Sequence, residues 1–208
     1  DAGKRARTTH PALLAADQTA GAVLPFIARW NFAGQIGDAA KSAVSKAEVR
    51  LADKSLADDE RGQIAVNLLG VRALDASIVP AVAALVGSDA SPALQRRVID
   101  ALGTTGDAAA GQALLAALPK LDPELREAAF GQLLKRADWS EAVVQALADR
   151  KLDPGLLGLA NLYRLRTHAE ANVARGETRY AKAEQLYQRA IQADPTYPDV
   201  REDYAELL

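Results

Sequence analysis

The chain has 208 residues, of which 49% are hydrophobic and 25% charged, enough apolar material for a substantial folded core. Lys and Arg number 25 against 27 Asp and Glu, a net charge of −2, so the basic excess that replaces phosphate counterions in nucleic-acid binders is missing. With no Cys there is no disulfide, thiolate zinc site, cysteine nucleophile or covalent c-type haem attachment in this chain.

No apolar run reaches the ~20 residues that cross a bilayer, and no membrane insertion is expected. The likeliest candidate, Ala20 to Ile27, is short and contains Pro25. No signal peptide is visible. The chain opens at Asp1 and contains no Met, from which a processed protein or an excised fragment is expected. Val and Ile do not form alternating runs, so the class predicted is all-α.

Residues 1–17 are expected to be a loose amino-terminal segment, with Lys4, Arg5, Arg7 and little apolar content near its start. The stretch Ala20–Ala33, with Leu24, Phe26, Ile27 and Trp30, and the amphipathic stretch Asp38–Leu51 then predict a divergent first hairpin. Asp38 is placed as the cap of its second helix.

A repeating pattern follows. Pro92, Pro123 and Pro154 recur every 31 residues (123 − 92 and 154 − 123). Each follows a capping residue, Ser91, Asp122 or Asp153, and precedes a leucine by two: Leu94, Leu125 and Leu156. Proline in a first helical turn loses no needed N–H, and the residue before it can accept from the orphan donors. Aligned first helices carry Glu60, Leu94, Leu125 and Leu156, then Ala65, Ile99 and Phe130, then Leu68, Leu102 and Leu133. Spacing i, i+5, i+8 confines these side chains to an arc of about 140°, one broad apolar face. In the fourth segment Asn161 and Arg164 occupy the aligned positions, and Leu159, Leu162 and Leu165 form a rotated stripe.

Asp75, Asp107 and Asp138 stand before the second helix of each segment, where carboxylates are expected to cap it. The second helices pair Val82 with Leu85, Leu115 with Leu118 and Val144 with Leu147. No such hairpin buries its stripe alone, so neighbours must stack. The pattern is HEAT-like, and it predicts a right-handed α-solenoid of helical hairpins over residues 18–168.

Residues 169–208 change character. Ala183, Tyr187, Ala190 and Pro195 follow the spacing A-x3-Y-x2-A-x4-P, similar to the second helix of a tetratricopeptide repeat. Tyr204, Ala205 and Leu208 read as the start of another such unit. A tetratricopeptide-like carboxyl-terminal segment is therefore expected, with a boundary near His168–Gly176.

From Leu24 to His168 the wording has a further likeness. LPFIARWN, the run from Asp58 to Pro119 (DDERGQIAVNLLGVRALDASIVPAVAALVGSDASPALQRRVIDALGTTGDAAAGQALLAALP), LREAAFGQLLKRADWS and ANLYRLRTH resemble the HEAT-repeat region of large proteins from planctomycete-type bacteria. In that family a sugar-dehydrogenase-like β-propeller precedes the helices and a c-type cytochrome domain with a CxxCH motif follows them. The resemblance implies an exported, extracytoplasmic helical spacer between a propeller and a haem domain. This chain has no CxxCH, so no catalytic or haem-ligating residue carries over to any position.

Searching for chemistry gives bland readings. His10 precedes Pro11, His168 stands at an expected helix end, and neither has the His-Glu partner of a di-iron site. Asp75, Asp107 and Asp138 recur as caps rather than as a metal row. Asp58, Asp59 and Glu60 suit a helix first turn. Gly103-Thr-Thr-Gly106 lacks the lysine and preceding strand of a phosphate loop and reads as a turn. Trp30 and Trp139 are expected to pack between helices, Trp139 with partial burial. No catalytic, cofactor-binding or metal-ligating residue is therefore assigned, and no cofactor is expected. The function expected is a non-enzymatic scaffold that docks a protein partner or spaces adjacent domains of a larger redox protein. The enzymatic alternative is a HEAT-like nucleic-acid-processing protein of the alkyl-base DNA glycosylase type, which needs a basic concave face with exposed aromatics.

Overall fold

A computed structural model describes residues 37–173, with side chains described for residues 41–167. Among these residues there are eight α-helices and no strand: α1 (Gly37–Ala52), α2 (Asp58–Gly70), α3 (Ile78–Ala83), α4 (Pro92–Thr104), α5 (Ala108–Ala117), α6 (Pro123–Leu134), α7 (Ala137–Ala148) and α8 (Pro154–Val173). Short 3-10 turns, Arg72–Leu74 and Leu118–Lys120, follow α2 and α5. The chain divides between Ala129 and Phe130 into two compact units. No helix among the described residues is long and apolar enough to cross a membrane.

In the first unit the apolar spacing sets the packing. α1 buries Ala43, Val44, Ala47 and Leu51 along one stripe, small enough for α2 and α3 to approach closely. α2 opens on Asp58, Asp59 and Glu60, which suit its dipole, and buries Ile64, Ala65, Leu68 and Leu69. α4 begins at Pro92, and the Ser91 hydroxyl accepts the Leu94 N–H at 3.2 Å. Asp107 caps α5 by accepting from Ala109 N–H at 2.9 Å. Asp122 accepts from Leu125 N–H at 2.9 Å just ahead of Pro123. These bonds satisfy donors at the helix starts, the use expected of the Ser91-Pro92 and Asp122-Pro123 pairs and of Asp107.

α2 packs on α3 and α4 on α5, while α2 also lies against α4 and α3 against α5. Leu94, Val98, Ile99 and Leu102 of α4 are all buried, joined by Ile78, Val82, Leu114 and Leu118. Each such side chain contributes about 1.5–3 kcal/mol relative to exposure. Leu115, paired with Leu118 in the sequence reading, is only half-buried; Leu114 takes the inward position. Glu60, aligned with Leu94 and Leu125, is exposed, and its neighbour Arg61 is buried instead. Asp75 stands ahead of α3's own N-cap, Ser77, and folds the turn leading in by accepting from Ser77 N–H at 2.8 Å.

The second unit contains the last turn of α6, then α7 and α8 packed on one another. Phe130 and Leu133 are buried, as are Trp139, Val143, Val144 and Leu147 of α7. Asp138 is not a cap. It lies inside the first turn of α7, whose N-cap position is Arg136, and it pairs with that arginine at 3.1 Å. Arg150, with φ +59, ends α7 in the left-handed region.

α8 is broken at Gly158, whose φ of 73 and ψ of 162 are non-helical. Pro154 to Leu157 therefore form a separate turn, headed by Asp153, which accepts from Gly155 N–H at 2.9 Å. Beyond it Leu162 and Leu165 are buried and Leu159 is half-buried, close to the rotated stripe expected. The buried residue before the break is Leu157, not Leu156, so the fourth set keeps its i, i+5, i+8 spacing one residue late. His168, expected at a helix end, falls within α8, which runs on to Val173. Asp38, expected to cap the helix, instead lies inside its first turn, because α1 already opens at Gly37. The segment 1–17, the stretch Ala20–Ala33, His10, Trp30 and the tetratricopeptide-like residues Ala183 to Leu208 lie outside the described residues.

Candidate functional site

Three polar side chains occupy one recurring position, the residue after Glu60, Leu94 and Leu125. Arg61, 6% exposed, donates from Nε to the Leu51 carbonyl at 3.0 Å. Gln95, 7% exposed, donates from Nε2 to the Ala90 and Ser88 carbonyls at 2.8 and 3.2 Å, and its Oε1 accepts from Gly87 N–H at 2.8 Å. Arg126 donates from Nη2 to the Leu121 carbonyl at 2.6 Å and from Nε to that of Leu118 at 3.2 Å. In each case the side chain leaves the start of a helix and satisfies backbone groups just upstream. Buried carbonyls need such partners, and Arg and Gln reach them while their stems pack. The sequence reading assigned none of the three, because charged and amide side chains are most often exposed. The signal was their constant register beside the leucines.

A second group of bonds joins consecutive segments. Ser91 Oγ donates to the Asp58 carboxylate, 33 positions away. Arg97 Nη2 donates to Gln63 Oε1 at 3.1 Å across 34 positions, and its Nη1 lies 3.5 Å from Asp59 Oδ1. Arg72 Nη2 donates to the Thr105 carbonyl at 2.9 Å across 33 positions, and its Nε lies 3.5 Å from Asp107. Lys54 pairs with Asp89 across 35. These four separations, 33 to 35 positions, lie close to the 34 that part Glu60 from Leu94 near the starts of α2 and α4.

Charge on the described surface is interspersed. Arg50 pairs with Glu60, Arg96 with Asp100 at 3.2 Å, and Lys151 with Asp149 at 3.3 Å, beside the pairs of Arg72, Arg97 and Arg136 already given. Three carboxyls are held below their ordinary 3.8. Asp53 is lowered chiefly by the Ser55 hydroxyl, Asp75 by the Ser77 backbone N–H, and Asp89 by its hydrogen bond with Lys54. Among the described residues no group of three or more His, Cys, Asp or Glu is gathered as a metal would require.

The residues singled out in the sequence have local partners. Asp75 serves Ser77, Asp107 serves Ala109 and Arg72, and Asp138 serves Arg136. Gly103–Gly106 ends α4: the Thr105 hydroxyl donates to the Leu102 carbonyl at 2.7 Å and accepts from Asp107 N–H at 3.2 Å. Trp139 is more deeply placed than expected, at 2% exposure, with the Arg136 guanidinium 5.5 Å from its ring centre and no hydrogen-bond partner for Nε1. It is a core residue with a cationic cover, not a stacking platform open to a ligand. A cavity of about 310 Å³ runs along the outer face of α1, lined by Ser42, Ser45, Lys46, Val49 and Arg50. Its described walls offer hydroxyls, aliphatic stems and two cations.

Compared with known proteins, the chain matches no protein-family model, no curated sequence and no solved structure.

Proposed function

We propose that this chain is a non-enzymatic helical-repeat scaffold, a right-handed stack of HEAT-like hairpins that docks a protein partner or spaces the domains of a larger redox protein. The observation that carries the reading is the set of bonds from Arg97 to Gln63, Ser91 to Asp58 and Arg72 to Thr105, each spanning about one segment. A chain whose segments hold their immediate neighbours forms a quasi-one-dimensional array. Such an array keeps a long surface preorganised, which lowers the ordering cost of association. Interspersed ion pairs suit a protein partner better than a phosphate backbone, which selects for clustered cations. The tetratricopeptide-like end extends the array or holds a peptide beside it.

The test is made on the native parent polypeptide. Intact mass and a reduced absorption spectrum are expected to give a longer, haem-containing protein, as a spacer between a propeller and a cytochrome domain requires. A haem-free parent no longer than this chain overturns the redox-spacer form and leaves a stand-alone adaptor. Incubation with duplex DNA carrying an alkylated base separates the enzymatic class: no base release is expected. Enzyme-dependent release would replace the scaffold reading with the glycosylase one.

A further inference from the structure

We draw no further inference here: the strongest candidate, the cavity of about 310 Å³ along α1 beside the exposed Val49, is a surface for which nothing among the described residues shows what covers it.

Discussion

Arg97 of α4 lies directly across Gly62 of α2, so that a Cβ built on Gly62 would meet Arg97 Cδ at 2.6 Å. The glycine is the gap through which the guanidinium reaches Asp59 and Gln63. Gly62→Ala is expected to be nearly neutral, because a gain of about 1 kcal/mol in helix propensity is offset by displacement of the arginine. In an Arg97→Ala background the same change should stabilise by about 1 kcal/mol. Urea unfolding of the four proteins measures the coupling; simple additivity would show that the two side chains do not meet in solution.

Gln95, buried near the start of α4, bonds to three backbone groups. Gln95→Ala strands Gly87 N–H and the Ser88 and Ala90 carbonyls, at an expected cost of about 2 kcal/mol. Gln95→Glu keeps an acceptor but turns a charge towards two carbonyls, and should cost at least as much at neutral pH. Denaturant midpoints at constant m-value decide the matter. Losses under about 0.5 kcal/mol for both variants would mean that water replaces the side chain.

Two glycines, one inside a helix and one at a helix break, should respond oppositely to the same substitution. Neither Gly131 nor Gly158 has an atom within 4 Å of a built Cβ, so space is not the issue. Gly131 sits in α6, and Gly131→Ala is expected to stabilise by about 1 kcal/mol. Gly158 holds φ +73, and Gly158→Ala should cost about 1–3 kcal/mol. Thermal midpoints moving in the same direction for both would rule out the break in α8.

Acid should weaken the fold through carboxylates that the turns employ. An unfolded aspartate titrates near its ordinary 3.8, while Asp53, Asp75 and Asp89 titrate lower when folded. Below 3.8 the unfolded chain therefore binds more protons. The stabilisation is complete above 3.8 and is lost as pH falls through the lower folded values. Asp75→Asn retains an acceptor for Ser77 N–H without ionising, and should flatten that acid limb. Salt of about 1 M should weaken the exposed Lys54–Asp89 contribution and leave that of the Asp75 backbone bond. Stability followed from pH 7 downward, at low and high salt, checks both; an unchanged limb in Asp75→Asn counts against the assignment.

The core of the fold was legible because burial needs only periodicity. Ala65, Leu68, Leu94, Ile99, Leu102, Phe130 and Leu133 were placed inward by spacing alone, and they are buried. The starts at Pro92, Pro123 and Pro154 were legible because proline and its capping neighbour have one shared use. What escaped depends on backbone angles or on reach. Asp138 lies one residue inside its helix, since the chain enters through Arg136. Leu157 replaces Leu156 because a glycine may sit in a helix or break it, and Gly158 breaks it. Arg61 and Gln95 hid because polarity speaks for solvent until a carbonyl is seen waiting. No binding residue was legible, and the cavity on α1 had no signal beyond the lone Val49 among hydroxyls.

The bonds between α2 and α4 also bear on how the protein is made. Their longest reach, from Arg97 back to Asp59, is 38 positions. Both partners lie within residues 58–104, so these bonds can close once α4 has been made, while later residues are still being added. Contacts of such short span favour rapid closure and leave apolar faces uncovered only briefly during synthesis.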